Sequence, residues 1–536
     1  MSIEAGWQFQ CSRTTCLPFA TVTVSNIENC QVACLAQVNC KALTFYRSSF
    51  SCDLFANIPN QNVNLTANMD TVTMIVIDGT RIPLEPTTTS TTASFTLSTT
   101  TSTSSATTST TTASSSSSTS STTTTSSLSS SSSSTSSSTT TATAACNFFL
   151  NQTTYAAGSN PYSVTVVDVN SDNKLDIVVA SQSSSSISVL LNAGNGTFNT
   201  RTTYTVGSGV YAVAVADVNS DNKPDIVVPS QSSSTVTVLL NAGNGTFNTQ
   251  STYTVGNGAY SIAVVDVNSD NKPDIVVPSQ SSSTVTVLLN AGNGTFNAQT
   301  NYAVSNGPYS IAVVDVNDDN KSDIVVTSPS SNTVSVLLNA GNGTFNAQTN
   351  YAVSNGPYSV VVVDVNSDNK PDIIVARQSS SIVSVLLNAG NGAFNTQSTY
   401  TVGNGAYSIA VVDVNSDNKP DMIVPSHSSN SISVLLNTGN GTFNAQSTYT
   451  VDNGAYSVAV VDVNSDNKPD IIVPSSSSST VTVLLNAGNG TFNTQSTYTV
   501  GNGPYSVAVV DVNSDNQPDI VVASSSSSTI SVLLHC

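Results

Sequence analysis

The chain has 536 residues, with 32 Asp and Glu against 13 Lys and Arg and a formal net charge of -19. This acidity argues against a nucleic-acid partner, because phosphate binding requires a basic surface. The length allows several domains, and eight cysteines, an even number, indicate disulfides and an oxidising compartment.

The N-terminal region, residues 1–84, holds six of the eight cysteines, between Cys11 and Cys52. Its first residues, MSIEAGWQFQ, lack the basic and apolar parts of a signal peptide. Because the cysteines are typical of secreted proteins, we expect that this start is truncated or misassigned. The run TVTMIVI at 71–77 is too short to span a bilayer, and no later run qualifies. We therefore predict a secreted or surface-associated protein without a membrane span.

Residues 85–145 form a low-complexity segment in which nearly every residue from 87 onward is Ser, Thr or Ala. Such a composition has no apolar period and cannot form a core, so we expect disorder. In secreted proteins these stretches are commonly O-glycosylated stalks, and the alternative is a bare flexible spacer. Either interpretation separates two domains.

Residues 146–536 are a tandem repeat. The stretch DVNSDNKPD at 217–225 recurs with its first Asp at 168, 217, 266, 315, 364, 413, 462 and 511, a spacing of 49 residues each time. A strict period near 50 residues indicates a propeller, a solenoid or an array.

Each period contains four strand patterns, shown here for residues 211–260. YAVAVADV is mostly alternating, DIVVP is a short apolar run suited to burial on both faces, and TVTVLL alternates Thr with Val. TFNTQSTYTV is more polar and is expected to be outermost, after the turn NAGNG. Since no segment has a helical period, we predict an all-β fold, an eight-bladed β-propeller of four-stranded repeats.

The two ends of the repeat region predict how the ring closes. His535 is in register with Asn486, and Cys146 is in register with Asn489. The N-terminal segment would therefore supply the fourth strand of the last blade, which removes an exposed edge. This arrangement predicts a disulfide between Cys146 and Cys536. It would close a loop of nearly 400 residues, for which chain entropy predicts a stabilisation of about 4–5 kcal/mol or more.

The Asp-rich stretch has the composition of a calcium loop. Asp217, Asn219, Asp221, Lys223 and Asp225 occupy positions 1, 3, 5, 7 and 9. Three carboxylates, one amide oxygen and the backbone carbonyl at position 7 would form a cage of six or seven oxygens, which suits Ca²⁺. The loop lacks His and Cys, which disfavours zinc and copper. It also lacks the Glu at position 12 of an EF-hand.

The alternative is an acidic Asx-rich turn without a metal. Every copy keeps all three Asp, even where Pro224 is replaced by Leu175 or Ser322, and a turn alone does not require this. We therefore predict about one Ca²⁺ per repeat; eight would reduce the charge of -19 to about -3. The predicted ligands are Asp168, Asn170, Asp172, Lys174, Asp176, Asp217, Asn219, Asp221, Lys223, Asp225, Asp266, Asn268, Asp270, Lys272, Asp274, Asp315, Asn317, Asp319, Lys321, Asp323, Asp364, Asn366, Asp368, Lys370, Asp372, Asp413, Asn415, Asp417, Lys419, Asp421, Asp462, Asn464, Asp466, Lys468, Asp470, Asp511, Asn513, Asp515, Gln517 and Asp519.

The repeat resembles the FG-GAP/VCBS family, the blades of integrin-alpha-type propellers. The segments that carry the resemblance are DVNSDNKPDIVV, TVTVLLNAGNGTFN and YTVGNGAYSIAV. It implies a propeller with Ca²⁺ in its Asp loops and a role in adhesion, ligand binding or extracellular architecture. Position 3 is Asn where the family has Asp, which should lower the affinity for Ca²⁺. Seven blades is the usual number, so a seven-bladed ring is the alternative.

The N-terminal region resembles a PAN/apple domain through ENCQVACLAQVNCKALTFYRSSFSCDLF. The resemblance implies a small disulfide-rich α+β domain that binds proteins or carbohydrates, with Cys30 and Cys34 one helical turn apart. The alternative is a disulfide-stapled spacer. The pairs implied by the resemblance are Cys30–Cys52 and Cys34–Cys40, which leaves Cys11–Cys16.

Several turns carry N-glycosylation sequons, which are plausible glycan sites in a secreted protein. The alternative is that Asn-Gly only makes the turn. Two further sequons begin at Asn64 and Asn151. The sequons of the repeat begin at Asn195, Asn244, Asn293, Asn342, Asn440 and Asn489, whereas Ala393 removes the one at Asn391.

Catalysis has little support in the sequence. The chain has two histidines, His427 and His535, and no G-x-S-x-G elbow. Near-identical repeats do not create a unique acid, base and nucleophile. Arg201, Arg377, His427 and Asn430 depart from the repeat and mark either an asymmetric patch or neutral drift.

Three functions remain open at this point. The favoured one is a secreted, monomeric, calcium-stabilised propeller that binds an extracellular glycan or protein, with an apple domain on a stalk. The second is a structural matrix or coat protein. The third is an extracellular hydrolase.

Overall fold

The computed structural model describes residues 148–536, apart from 151, 298, 396, 445 and 446, together with six strands between Trp7 and Ile75. The chain divides into two units, Met1–Ser133 and Ser134–Cys536. The described residues form strands and turns without an α-helix, and no helix among them could cross a membrane.

The first unit contains two antiparallel sheets. In the larger sheet, the central strand Ala42–Tyr46 pairs with Ser51–Phe55 and with Thr71–Ile75, and Ser51–Phe55 also pairs with Ala20–Thr23. Trp7–Gln10 pairs with Asn64–Ala67. The predicted helical turn and the three predicted disulfides of this unit fall on residues outside the described part, apart from Cys52, which lies on a described strand.

The second unit is an eight-bladed propeller, so the seven-bladed alternative is wrong. Each blade is one antiparallel four-stranded sheet in the order first, second, third, fourth strand. We number the blades 1 to 8 in the chain order of their first strands. The first strands are Pro161–Val167, Ala214–Ala216, Ala263–Val265, Ile311–Val314, Pro357–Val363, Ala410–Val412, Ala459–Val461 and Pro504–Val510. The second strands are Asp176–Ser181, Asp225–Ser230, Asp274–Ser279, Asp323–Ser328, Asp372–Arg377, Asp421–Ser426, Asp470–Ser475 and Asp519–Ser524.

The third strands are Ser186–Leu190, Thr235–Asn241, Thr284–Leu288, Thr333–Leu337, Ile382–Leu386, Ser431–Leu435, Thr480–Asn486 and Thr529–Leu533. The fourth strands of blades 1–8 are Thr202–Thr205, Phe247–Thr254, Thr300–Ala303, Thr349–Ala352, Ser398–Thr401, Ser447–Thr450, Phe492–Thr499 and Thr153–Ala156. Three blades add a short hairpin before the fourth strand: Asn192–Gly194 with Thr197–Phe198, Asn339–Gly341 with Thr344–Phe345, and Asn388–Gly390 with Ala393–Phe394.

The core lies between the blades, because neighbouring sheets pack face to face. Every residue of Asp225–Ser230 is buried, which confirms the prediction for the apolar second strand. Both faces of the third strand are covered as well, so Thr237 is as buried as Val238. Eight apolar clusters, one for each pair of neighbouring blades, form this core. The fourth strands are the most exposed, as predicted.

The ring closes as the sequence predicts. Thr153–Ala156 pairs with Thr529–Leu533 as the fourth strand of blade 8. Beyond it, the Cys536 amide donates a hydrogen bond of 3.0 Å to the Phe148 carbonyl oxygen. Cys536 is disulfide-bonded, and its predicted partner, Cys146, lies outside the described residues.

The alternating strand directions give the propeller two different faces. The Asp loops and the NAGNG turns leave the sheets at one end, which we call the aspartate face. The loops between second and third strands and the linkers between blades leave at the other end. This end also holds the tyrosine that precedes or begins each first strand, such as Tyr211, and we call it the tyrosine face.

Candidate functional site

Each Asp loop joins the first strand of a blade to the second, and its first carboxylate organises the turn. In blade 1, Asp168 Oδ1 accepts hydrogen bonds from the amides of Asn170 at 3.1 Å and Asp172 at 3.3 Å. Asp168 Oδ2 accepts another from the amide of Asn173 at 2.8 Å. Asn173 has a φ of 61°, which agrees with the left-handed conformation expected of Asn at position 6.

The next two ligand positions continue this pattern. Asn170 Oδ1 accepts a hydrogen bond of 3.0 Å from the amide of Asp172, and Asp172 Oδ1 accepts one of 3.0 Å from the amide of Lys174. Hydrogen bonds from side-chain oxygens to backbone amides therefore connect positions 1, 3, 5 and 7. The loop oxygens face outward, because the Asp172 side chain is 35% exposed.

Lysine at position 7 lies beside the carboxylate at position 5 in seven of the eight loops. The Nζ to Oδ2 distances run from 3.0 Å for Lys321 to 3.6 Å for Lys370. In blade 8, where Gln517 replaces Lys, Asn513 Nδ2 donates a hydrogen bond of 2.9 Å to Asp515 Oδ2. Since these lysines are about one-third exposed, each pair adds about 0–1 kcal/mol to stability.

The carboxylate at position 9 is buried and has a structural task. Asp176 Oδ2 accepts a hydrogen bond of 2.9 Å from the Val169 amide, and Oδ1 accepts one of 2.7 Å from the Asn192 amide. The Asn192 side chain in turn donates to the carbonyl oxygens of Leu175 at 2.9 Å and of Val512, in blade 8, at 2.7 Å. Position 9 therefore ties the loop to the third strand and to the neighbouring blade. The bonds to Asp recur in every blade.

Burial raises the pKa of this carboxyl to about 6. The two backbone hydrogen bonds to Asp176 oppose the rise in pKa, whereas the nearby charges of Asp168 and Asp172 add to it. The three carboxylates of one loop are thus close enough to repel one another. The same rise to about 6 occurs at Asp225, Asp274, Asp323, Asp372, Asp421, Asp470 and Asp519.

These loops fit a calcium ion in part. Oxygen donors at positions 1, 3 and 5 lie on one short loop, and a cation would relieve the repulsion between the carboxylates at positions 1 and 5. However, within residues 148–536 as described, no three acidic, imidazole or thiol side chains come together as a complete metal cage. Both oxygens of Asp176 accept backbone hydrogen bonds, as do both oxygens of Asp168. Positions 1, 3, 5 and 7 of the predicted cage therefore lie together on one loop, whereas position 9 is buried in the core.

The opposite face carries a feature that the sequence analysis did not identify, a closed ring of eight tyrosines around the axis. Neighbouring ring centroids are separated by 4.2 Å at the closest pair, Tyr309 and Tyr358, and the ring closes between Tyr505 and Tyr162 at 4.9 Å. The members are Tyr162, Tyr211, Tyr260, Tyr309, Tyr358, Tyr407, Tyr456 and Tyr505.

Four of these hydroxyls form a hydrogen-bonded chain. Tyr456 bonds to Tyr162 at 2.7 Å and to Tyr358 at 3.2 Å, and Tyr358 also bonds to Tyr309. Burial raises the pKa of all four phenols. The Tyr407 hydroxyl accepts a hydrogen bond of 2.9 Å from Gln378 in the surrounding loops. The ring therefore surrounds the propeller axis at this face, inside a rim of neutral polar loops.

A signal for this ring was present in the sequence. The tyrosines recur every 49 residues, directly after the linkers such as GNGA and SNGP. The period places one tyrosine at the inner end of every blade, and in a propeller such positions meet at the axis. Of the residues that depart from the repeat, His427 also lies here, with ring centroids 5.6 Å from Tyr407 and 6.4 Å from Tyr456.

A groove lies between the outer strands of blades 2 and 3. It has a volume of about 350 Å³ and is lined by Thr252, Tyr253, Phe296 and Asn297, among others. Tyr253 and Phe296 meet edge to face, with centroids 5.4 Å apart.

Several solved structures are similar to this chain at low sequence identity. A lectin of Agrocybe aegerita with specific recognition of non-reducing terminal N-acetylglucosamine is 20% identical at a TM-score of 0.42, covering 63% of this chain and 94% of its own. The Staphylococcus aureus virginiamycin B lyase is 12% identical at a TM-score of 0.40, covering 72% and 98%. The V. cholerae biofilm matrix protein Bap1 is 13% identical at a TM-score of 0.40, covering 72% and 89%. These similarities carry no function over to this chain.

The search of curated proteins found no match to the chain. Two protein families do match it. The PAN domain family matches residues 9–76. The FG-GAP-like repeat matches seven overlapping windows, at 168–228, 217–277, 266–326, 315–375, 364–424, 413–473 and 462–522. The chain therefore belongs to the FG-GAP-like repeat family, as an eight-bladed propeller that follows a PAN domain.

Proposed function

We propose that this protein is a secreted or surface-associated, calcium-stabilised propeller that binds an extracellular ligand on its tyrosine face. FG-GAP and PAN domains are both typical of extracellular proteins, which supports this location. Among the ligand classes, a neutral glycan matches this face best. The observation that carries the proposal is the division of charge and aromatic groups between the two faces.

The aspartate face is strongly charged, whereas the tyrosine face is nearly neutral. All eight Asp loops open on the aspartate face. The described loops and linkers of the tyrosine face consist mainly of Ser, Asn, Gln and Gly, with Asp452 and His427 as exceptions. Aromatic rings beneath amide and hydroxyl groups complement a ligand that is apolar on its ring faces and rich in hydroxyls, without a charge.

The positions of the glycosylation sequons also support the tyrosine face as the binding surface. Those of the repeats, at Asn195, Asn244, Asn293, Asn342, Asn440 and Asn489, all lie in turns of the aspartate face. Glycans at these positions would cover the aspartate face and leave the tyrosine face open. The described chain also enters the propeller on the aspartate face, at Phe148.

Calcium has a supporting role in this proposal. Bound Ca²⁺ would neutralise the repulsion among the three carboxylates of each loop. In blade 1, Asp168, Asn170, Asp172 and the Lys174 carbonyl would hold the ion. Asp176 would stabilise the loop from the core, through its bonds to Val169 and Asn192.

We also propose that the propeller is not catalytic. The ring residues are chemically alike. The imidazole of His427, the one histidine among the described residues of the tyrosine face, contacts the rings of Tyr407 and Tyr456. In the described residues no carboxylate bonds to this imidazole, so an acid–base pair is not formed there.

A glycan array with paired variants tests the proposal. Arg replaces exposed serines of the tyrosine face in Ser232→Arg and Ser281→Arg. The matched controls, Ala242→Arg and Ala291→Arg, place the same charge at exposed positions of the aspartate face. We expect specific glycan binding to fall at least tenfold in the first pair and to persist in the controls.

Two outcomes would contradict the proposal. Equal binding by both pairs of variants would place the ligand away from the tyrosine face. The absence of any bound glycan or protein, with the fold intact, would favour the matrix or coat alternative, in which rigid repeats are themselves the function.

A further inference from the structure

Blade 5 contains a buried cation that the other blades lack. The last residue of its second strand is Arg377, where blades 1–4 and 6–8 have Ser. Arg377 is 1% exposed. A charge removed from water is destabilising unless a counter-charge or a full set of hydrogen bonds compensates it.

The described residues compensate Arg377 only in part. Its Nη2 donates a hydrogen bond of 2.7 Å to Gln397 Oε1, which also accepts 2.9 Å from Ser384 Oγ. Arg377 Nε is buried without a partner among the described residues, as is Ser380 Oγ. None of the described ion pairs involves Arg377, and burial lowers its pKa.

The loop that follows Arg377 is also held more loosely than its counterpart in blade 6. There, the Ser428 amide donates 3.1 Å to the Asn404 carbonyl, and the Asn404 amide donates 2.6 Å to Ser429 Oγ. Within the described residues of blade 5, neither bond has an equivalent at Ser379 or Ser380. What remains is a longer bond of 3.2 Å from the Gln378 amide to the Gly356 carbonyl.

The spacing between loop and linker shows the same difference. A Cβ atom built on Gly356 would lie 4.0 Å from the Ser379 amide nitrogen, whereas one on Gly405 would lie 3.0 Å from that of Ser428. The loop and the linker of blade 5 therefore lie farther apart at this point than those of blade 6. Within residues 377–380, Arg377 Nε and Ser380 Oγ are buried without a partner among the described residues, and the Ser379 amide makes no backbone hydrogen bond to them.

We propose that this place in blade 5 is a binding site for a small monovalent anion of the size of chloride. The ion would accept hydrogen bonds from these donors and neutralise the guanidinium. A small anion suits the site because Arg377 is almost wholly buried, which excludes a bulky ligand. The ion would also order the 378–381 loop, whose Gln378 bonds to Tyr407 of the tyrosine ring.

Thermal unfolding of the full-length protein tests this site, with sodium chloride exchanged for sodium gluconate at constant ionic strength and constant Ca²⁺. The variant is Arg377→Ser, which restores the residue of the other blades. The control is Lys468→Gln, which also removes one positive charge and introduces the residue that blade 8 has at this position. In the wild type and the control, we expect chloride to raise the Tm in a saturable manner, by about 2–4 °C. In Arg377→Ser this response should be lost.

Diffraction from crystals soaked in bromide gives a second reading, with an anomalous peak expected beside Arg377 Nε. An equal chloride response in Arg377→Ser and wild type would overturn the proposal. So would a response to acetate but not to chloride, which would assign the site to carboxylates. Since Arg377→Ser removes an unpaired buried charge, it should fold in gluconate at least as stably as the wild type.

Discussion

Asn486 Nδ2 donates a hydrogen bond of 2.8 Å to the carbonyl oxygen of Val414, which belongs to the preceding blade. The same amide donates 2.9 Å to the Pro469 carbonyl. One side chain therefore joins its own Asp loop to that of the neighbouring blade. This bridge recurs at the first Asn of every NAGNG or NTGNG turn.

Blade 8 has His535 in place of this Asn, and both imidazole nitrogens are buried without a hydrogen-bond partner among the described residues. His535→Asn should restore the two bonds and raise the free energy of unfolding by about 1–2 kcal/mol, since each buried bond adds about 0.5–1.5 kcal/mol. Asn486→His, which creates the same defect in blade 7, should lower it. Thermal unfolding measures both. A His535→Asn protein that melts below the wild type would show that the contacts of His535 with Phe148 and Phe149 matter more.

The hydroxyl chain of the tyrosine ring predicts different effects for chemically identical substitutions. Tyr358→Phe removes a hydroxyl bonded to Tyr309 and Tyr456, and it should reduce the free energy of unfolding by about 1–2 kcal/mol. Tyr211→Phe is the matched control, because its hydroxyl has no hydrogen bond to the described residues. Urea unfolding compares them, and equal effects would mean that the hydroxyl chain adds nothing to stability.

The disulfide at Cys536 should stabilise the closed ring. Cys536→Ser should lower the free energy of unfolding of the propeller by about 4–5 kcal/mol if the bond closes the whole ring. Reductant should shift the propeller transition of the wild type down to that of the variant and leave the variant's transition unchanged. A variant as stable as the oxidised wild type would mean that strand pairing alone closes the ring.

The number of blades and the closing strand could be predicted from the sequence because they follow from counting. The period of 49 residues numbers the blades, and the register of His535 with Asn486 assigns Thr153–Ala156 to the last sheet. The second strands could also be recognised, since a run such as DIVVP has no polar face.

Other features depend on distances that a linear pattern does not contain. Each tyrosine lies at the start of an alternating strand pattern, which does not distinguish it from other strand residues. The eight tyrosines come together at the axis only because the blades form a closed ring. The spacing predicts Asp176 as a metal ligand, and this stays a prediction. Its burial and its bond to the Asn192 amide could not be predicted from the loop, because they depend on a partner sixteen positions away. Asn192 itself looked like a turn residue, and its bond to Val512 crosses between blades 1 and 8.

The buried carboxyls predict an unusual pH dependence without calcium. Their folded-state pKa of about 6 lies above the ordinary value of 3.8, so the folded state binds more protons than the unfolded state between these values. In calcium-free buffer, this contribution to stability is fully present below about pH 4, falls as pH rises, and is lost above about pH 6. Calcium should weaken or reverse the trend, because a cation favours the ionised carboxylate. Melting temperatures between pH 4 and 7 measure it, with and without Ca²⁺, on protein from which calcium has been removed at neutral pH. Without Ca²⁺, stability that rises over this range would contradict the assignment.

Native mass spectrometry of the propeller in Ca²⁺, paired with its melting temperature in EGTA, tests the central claim most directly. We predict about eight bound Ca²⁺ per chain, one for each Asp loop, and a large fall in melting temperature when EGTA removes them. Asp217→Asn with Asp221→Asn should reduce the count by one, since it removes two carboxylates from a single loop. No bound Ca²⁺ and an unchanged melting temperature would contradict the account and leave the Asp loops as metal-free turns.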